Sequence, residues 1–163
     1  MNFEIKLNTS NTNHDLHSDI LVSFQGINDN EIIDSYYFFD GINSSSKENY
    51  YQNLGFKLIE KIKSWIKEID KDNLSKDNLF VIDISDEYIG AFRLYITDEL
   101  GNRLSYGIIR NPITFEIRDF INEFEANSFV ELYVINPQIS ISDFKDNLKS
   151  SIDLILHQIN DIN

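Results

Sequence analysis

With 163 residues, 42% hydrophobic and 13% aromatic, the chain is long and apolar enough to bury a sizeable core and is not composed like a disordered segment. It has no cysteine, which excludes disulfides, thiolate-ligated zinc and thiol catalysis together. A net charge of −13 repels nucleic-acid phosphates and anionic membranes and attracts basic partners, and solubility alone is an equally good reading of it.

The first residues, Met1 to Leu7, lack a basic stretch leading into an apolar run, so no signal peptide is expected. No apolar run approaches the roughly 20 residues of a membrane span. The expectation is a soluble cytoplasmic protein in a single domain, residues 1–163, with no membrane and no nucleic acid as partner.

Phe3, Ile5 and Leu7 alternate with Glu4 and Lys6 as a short strand. Residues 8–19 are polar and read as a loop. Ile20, Val22 and Phe24 form a second strand, and residues 26–30 turn the chain. Residues 31–39 read as a third strand. Ile33, Tyr37 and Phe39 fall on one face and Ile32, Tyr36 and Phe38 on the other, the pattern of a central strand at least partly covered on both sides.

A long amphipathic helix follows from about Lys47 to Lys71. Tyr51, Leu54, Leu58, Ile62, Trp65, Ile66 and Ile69 make its apolar stripe, and Lys57, Glu60, Lys61, Lys63, Lys67 and Glu68 its wet face. Ser45 with Glu48 fits a capping box. The only Trp sits on the stripe, which should pack on a half-buried sheet. Two copies of Lys-Asp-Asn-Leu, from Lys71 and Lys76, then read as polar linker.

Phe80, Ile82 and Ile84 alternate as a fourth strand; Phe92, Leu94 and Ile96 as a fifth; Leu104, Tyr106 and Ile108 as a sixth. The last two flank residues 98–102, a hairpin connection bearing Gly101. Asn111-Pro112 starts a second helix, with Ile113, Ile117, Phe120, Ile121 and Phe124 as its stripe to near Asn127. Val130, Leu132 and Val134 alternate as a seventh strand, stopped by Asn136-Pro137. Ser140 with Asp143 caps a last helix, Ile139 can staple against Phe144, and Leu148, Ile152, Ile155 and Ile159 continue the stripe. This order predicts an α+β fold: a mostly antiparallel sheet of about six to seven strands with about three helices packed against it.

Few motifs carry chemistry. There is no Gly-x-Ser-x-Gly, P-loop or Gly-x-Gly-x-x-Gly, and six glycines build little of a phosphate cradle. His14 and His17, near Asp15 and Asp19, have a spacing that suits metal, yet they lie in a loop with no fixed third ligand, so a solvated loop is favoured. Asp70, Asp72 and Asn73 resemble the start of an EF-hand loop, but Leu74 and Ser75 break it. No metal and no cofactor are expected. Asp83, Asp86 and Glu87 cluster at a strand end, where a catalytic acid–base pair and ordinary turn acids both fit; turn acids are the commoner reading. His157 reads as a helix-surface residue.

Charge is unevenly spread: residues 1–46 sum to −6, 47–71 to +2, 72–110 to −3 and 111–163 to −6. All four arginines, Arg93, Arg103, Arg110 and Arg118, fall within 26 residues, while no lysine occurs from 77 to 144. An internal ion-pair lattice is favoured over a contact surface. The polar faces of the later strands carry Asp83, Arg93, Tyr95, Ser105, Glu131 and Tyr133, a composition that suits a protein-binding patch as well as a solvated sheet face.

A small, acidic, cysteine-free chain without a catalytic constellation resembles, in size and composition, the immunity proteins that bacteria make against their own secreted toxins. That resemblance implies a non-enzymatic inhibitor that neutralises a basic, nuclease-type toxin by presenting acids where the toxin would bind phosphate. The expected contact residues are Asp83, Asp86, Glu87, Asp98 and Glu99 at strand ends and a hairpin tip, and Asp119, Glu123 and Glu125 beside the second helix. Arg93, Tyr95, Glu131 and Tyr133 on the sheet complete the set. A scaffolding domain, a DNA-mimicking inhibitor and a small enzyme with a dispersed site are the rival readings.

Overall fold

Three short strands, β1 (Phe3–Leu7), β2 (Ile20–Phe24) and β3 (Asn30–Ile33), pair antiparallel in the order β1-β2-β3. The computed structural model describes residues 3–10, 17–26, 30–33, 46–71, 74–84, 88–97, 101–110 and 129–162. Alternation decides the buried face: Phe3, Ile5 and Leu7 lie in register with Phe24, Val22 and Ile20, and all six are buried. β3 pairs only with β2 among the described residues, and the rest of the expected third strand, residues 34–39, lies outside them. Ile33 is buried, but Ile32 is 54% exposed, so its second face is not covered there.

Helix α1 (Lys47–Asp70) follows, and its whole predicted stripe is buried or half-buried. Its cap is Ser46 rather than Ser45: Ser46 has extended backbone and its Oγ accepts from the Asn49 N–H, and the helix begins at Lys47 as expected. Trp65 seats edge-on against Phe80 and Phe92, with ring centroids 5.9 and 6.3 Å away.

The second sheet contains β4 (Asp77–Ile84), β5 (Tyr88–Tyr95), β6 (Asn102–Arg110) and β7 (Phe129–Ile139), antiparallel in chain order. The fold is therefore α+β, with seven described strands divided between two sheets instead of sharing one. The second Lys-Asp-Asn-Leu copy is not linker. Asp77 and Asn78 open β4, because Asp77 finds Arg93 and the Asn78 side chain closes a turn on Ser75. The predicted hairpin joins β5 to β6, with Gly101 at φ +80, where a side chain would be strained. β7 does not stop at Pro137 but continues to Ile139. It is the last strand of its sheet among the described residues, a position that tolerates a residue without an N–H. The helix predicted over 111–127 lies outside the described residues.

Helix α2 (Ile141–Asp161) is capped as predicted, Ser140 Oγ accepting from the Asp143 N–H at 2.9 Å. It covers the open edge of β1. Ser151 Oγ accepts from the Ile5 N–H at 3.0 Å, and the Gln158 amide both accepts from the Leu7 N–H and donates to the Leu7 carbonyl, each at 2.9 Å. Helix side chains thus supply the partners a further strand would have given. α2 also presses on α1 at Gly55, where a Cβ would stand 2.5 Å from Ile159 Cδ1. The main core joins both sheets and both helices: Phe3 touches Phe92 and Phe144, and Phe24 touches Tyr106 and Tyr133. Val81, Ile84, Ile89, Ala91 and Ile109 form a second buried cluster on the other face of the second sheet.

Candidate protein-binding face

Strand pairing sorts the chemistry-bearing side chains of the second sheet into an inner and an outer set. On the outer face, Arg93 lies opposite Ser105, and Ser105 opposite Val134; Tyr95 lies opposite Arg103. Arg93 makes a two-pronged contact with Asp77, Nε to Oδ1 at 2.8 Å and Nη2 to Oδ2 at 2.6 Å. That hydrogen bond leads the causes that hold the guanidinium protonated even more firmly than an ordinary arginine. Its guanidinium carbon also stands 5.3 Å from the Phe129 ring centre and 5.8 Å from that of Tyr95. Arg103 and Glu131 come from register positions on either side of Ser105 and meet at 2.6 Å.

Two of the four arginines thus form ion pairs, partly exposed rather than internal, while Arg118 and the Arg110 side chain lie outside the described residues. Arg93 and Asp77 each keep 25% of their side-chain exposure, Arg103 46% and Glu131 34%. Pairs so wet contribute little stability. Their effect is order: two long side chains are held in fixed positions on a rigid sheet, so less entropy is lost when something docks on them.

Of the apolar residues of β7, Val134 adjoins this polar field, opposite Ser105, whereas Val130 pairs with Ile108 on the other face. Val130, Leu132 and Val134 were the expected apolar face of β7, yet they are 47%, 44% and 38% exposed, and Ile135 and Ile139 turn inward instead. The cause is irregular pairing. Gly107 lies opposite Glu131 and Tyr106 opposite Tyr133, so Leu132 is an extra residue; Ile135 is a second one, between Val134 and Asn136. Each bulge resets the alternation by one position. β7 approaches β6 very closely here, since a Cβ on Gly107 would lie 2.3 Å from the Val130 carbonyl oxygen.

Two residues expected on the polar sheet face belong to the inner set. In β4, Val81 pairs with Ala91 and Asp83 with Gly90, so Ile82 is a bulge that turns Asp83 inward, where it is 2% exposed. Gly90 makes room for it: a Cβ there would meet Tyr106 Oη at 2.6 Å and Asp83 Cβ at 2.7 Å. Asp83 is therefore a buried acid and cannot steer a partner from the rim. Burial, then the Asp83 charge, push the Tyr106 phenol well above its ordinary pKa. Tyr133 also faces inward and donates to Glu31 Oε1 at 2.5 Å, joining the two sheets.

A second buried polar centre lies at the base of the first loop. Asp19 is fully buried and accepts from the Tyr50 and Tyr51 hydroxyls, the latter at 3.0 Å; Asn8 closes the loop on it through the Asp19 carbonyl. His17 is exposed, and His14 and Asp15 lie outside the described residues. No group of three or more His, Cys, Asp or Glu with metal-binding geometry occurs among the described residues. His157 is on the helix surface, paired with Asp161 at 2.8 Å.

Of the expected contact residues, Arg93, Tyr95 and Glu131 come together on the outer face. Asp83 and Tyr133 leave it, and Asp86, Glu87, Asp98, Glu99, Asp119, Glu123 and Glu125 lie outside the described residues. Sequence reasoning left out Asp77, Arg103, Phe129 and the exposed apolar residues of β7. Only Arg103 had a signal of its own, in the arginine cluster. Among the described residues no helix is long and apolar enough to cross a membrane. The chain matches no protein-family model, no curated protein and no solved structure.

Proposed function

We propose that the protein is a non-catalytic, cytoplasmic protein-binding inhibitor of the immunity type, which binds and neutralises a basic, nuclease-type bacterial toxin. The observation that carries this reading is the outer face of β4–β7, where preordered guanidinium–carboxylate pairs and aromatic rings adjoin the exposed Val134 side chain. Aromatic and arginine anchors around an apolar centre are the composition of a protein interface. The charge of −13 supplies the long-range attraction that brings a basic partner to it. A scaffolding domain is the second reading. It is favoured by one observation, that Arg93 and Arg103 are already matched by Asp77 and Glu131, so this face carries little charge of its own.

The test is affinity capture with the tagged chain from its source lysate, with the neighbouring gene product included, followed by binding kinetics on the recovered protein. The immunity reading expects a basic partner whose association slows as salt rises past the roughly 10 Å screening length of 0.1 M. A neutral or acidic partner, or salt-indifferent association, refutes it in favour of scaffolding.

A further inference from the structure

We infer that the protein pairs with a second copy of itself through the solvent side of its two helices, around Phe56 and Leu156. Both side chains are exposed, at 52% and 38%. The packing of α1 on α2 fixes where they point. Gly55 faces α2, where a Cβ would meet Ile155 and Ile159. The helices run antiparallel, since Lys145 near the start of α2 reaches Asp70 at the end of α1. Successive residues of a helix are turned by about 100°. Leu54, one step to one side of Gly55, is buried in the core, so Phe56, one step to the other, stands on the solvent side of the seam. In α2, Ser151 and Gln158 face β1, and Ile155 and Ile159 face α1. Leu156 lies further round in the same sense, so it flanks the seam at the level of Phe56.

Charge selects the occupant. The two helices hold seven lysines against eight acids, a net −1, whereas the rest of the chain carries −12. A second copy is therefore repelled least at this surface. Two two-fold arrangements can centre on Phe56 and Leu156. In one, α1 lies on the partner's α2; Lys63 then faces Lys149 and Glu60 faces Asp153, like on like. In the other, each helix lies antiparallel on its own counterpart. Lys63, seven residues or about 10 Å beyond Phe56, then faces the partner's Glu48, eight residues before it. Both are exposed, and among the described residues neither has an ion-pair partner within its own chain. Symmetry repeats this pair, so the second arrangement is the one the charges favour. The helices and the Arg93–Glu131 face lie on opposite sides of the second sheet, so pairing leaves that face open in each copy. The inference thus goes beyond the proposed function and does not depend on it.

Sedimentation of the purified full chain, from about 10 μM to 1 mM in roughly 0.1 M salt, tests it. A monomer–dimer equilibrium is expected. Phe56→Ser should weaken it about tenfold or more with an unchanged circular dichroism spectrum; if that variant unfolds, Leu156→Ser gives the same reading. Lys63→Glu should weaken it about fivefold, and adding Glu48→Lys should restore it. Adding Glu4→Lys instead, which restores the same net charge on exposed β1, should not. A monomer at every concentration overturns the inference, as does a dimer indifferent to both serine variants. A dimer that needs Phe56 but ignores the charge swap refutes the antiparallel arrangement.

Discussion

Replacing Gln158 tests the idea that a helix side chain completes the first sheet. Its amide makes two hydrogen bonds to Leu7, one accepted from the N–H and one donated to the carbonyl, both at 2.9 Å and part-buried. Each contributes a net of about 0.5–1.5 kcal/mol, and a backbone group left dry without a partner costs about 1–3 kcal/mol. Because the site is only partly buried, water will recover some of that loss, so Gln158→Ala should destabilise by about 2 kcal/mol. In a chain of this length the corresponding fall in melting temperature is roughly 4–8 °C. Gln158→Met should lose nearly as much, which separates the hydrogen bonds from side-chain packing. Gln158→Glu is the sharper variant, since a carboxylate facing the Leu7 carbonyl has no proton to donate. Its folded-state pKa should therefore lie above the unfolded value of about 4.3. The sign follows from linkage: the protonated form is favoured in the fold, so its stability is present at acid pH and lost as pH rises through the raised folded value. The deficit relative to the natural chain should thus be small near pH 4 and largest at neutral pH. Urea denaturation across pH, with hydrogen exchange at the Leu7 amide, reads this directly. A loss below about 0.5 kcal/mol for Gln158→Ala, or a carboxylate variant without pH dependence, would refute the edge-covering role.

Trp65→Ala should cost about 3–5 kcal/mol in denaturant melts, because the ring is buried against Phe80 and Phe92; a change below about 1 kcal/mol would place that stripe in solvent. Tyr106 has a folded pKa raised above its unfolded value, so its contribution is fully present below about pH 10 and lost as pH climbs further. Tyr106→Phe should accordingly flatten the alkaline limb of the stability–pH curve, and an unchanged limb would contradict the burial argument. Gly107→Ala sets a methyl group against the Val130 carbonyl oxygen, a backbone atom that cannot rotate away. A loss of about 1–3 kcal/mol or more in the same melts is expected, and a neutral result would mean that β6 and β7 are further apart than described.

What was legible in the sequence was whatever a fixed period encodes. The stripe of α1, the alternation of β1 and β2 and the cap of α2 at Ser140 follow from local spacing, and the fold reproduces them. Division into two sheets was not legible, because strand runs do not state their partners. The candidate face failed differently. Its reading assumed that alternation runs unbroken from one end of a strand to the other, which would have kept Asp83 outside with Arg93 and hidden Val134 in the core. One extra residue at Ile82 carries Asp83 to the inner face, where Gly90 leaves the space for it, and the extra residue at Leu132 carries Val134 to the outer face, opposite Ser105. A bulge costs local pairing and shifts every later side chain by one position. Apolar residues left outside by such shifts lose burial energy, about 25 cal/mol for each Å² that stays wet. Replacing Val130, Leu132 and Val134 together by threonine, which keeps β-branching where it existed and adds a hydroxyl, should therefore leave folding stability within about 1 kcal/mol, since little burial is lost. A larger drop in a urea melt would show that these side chains are covered in the folded chain, against their exposure of 38–47%.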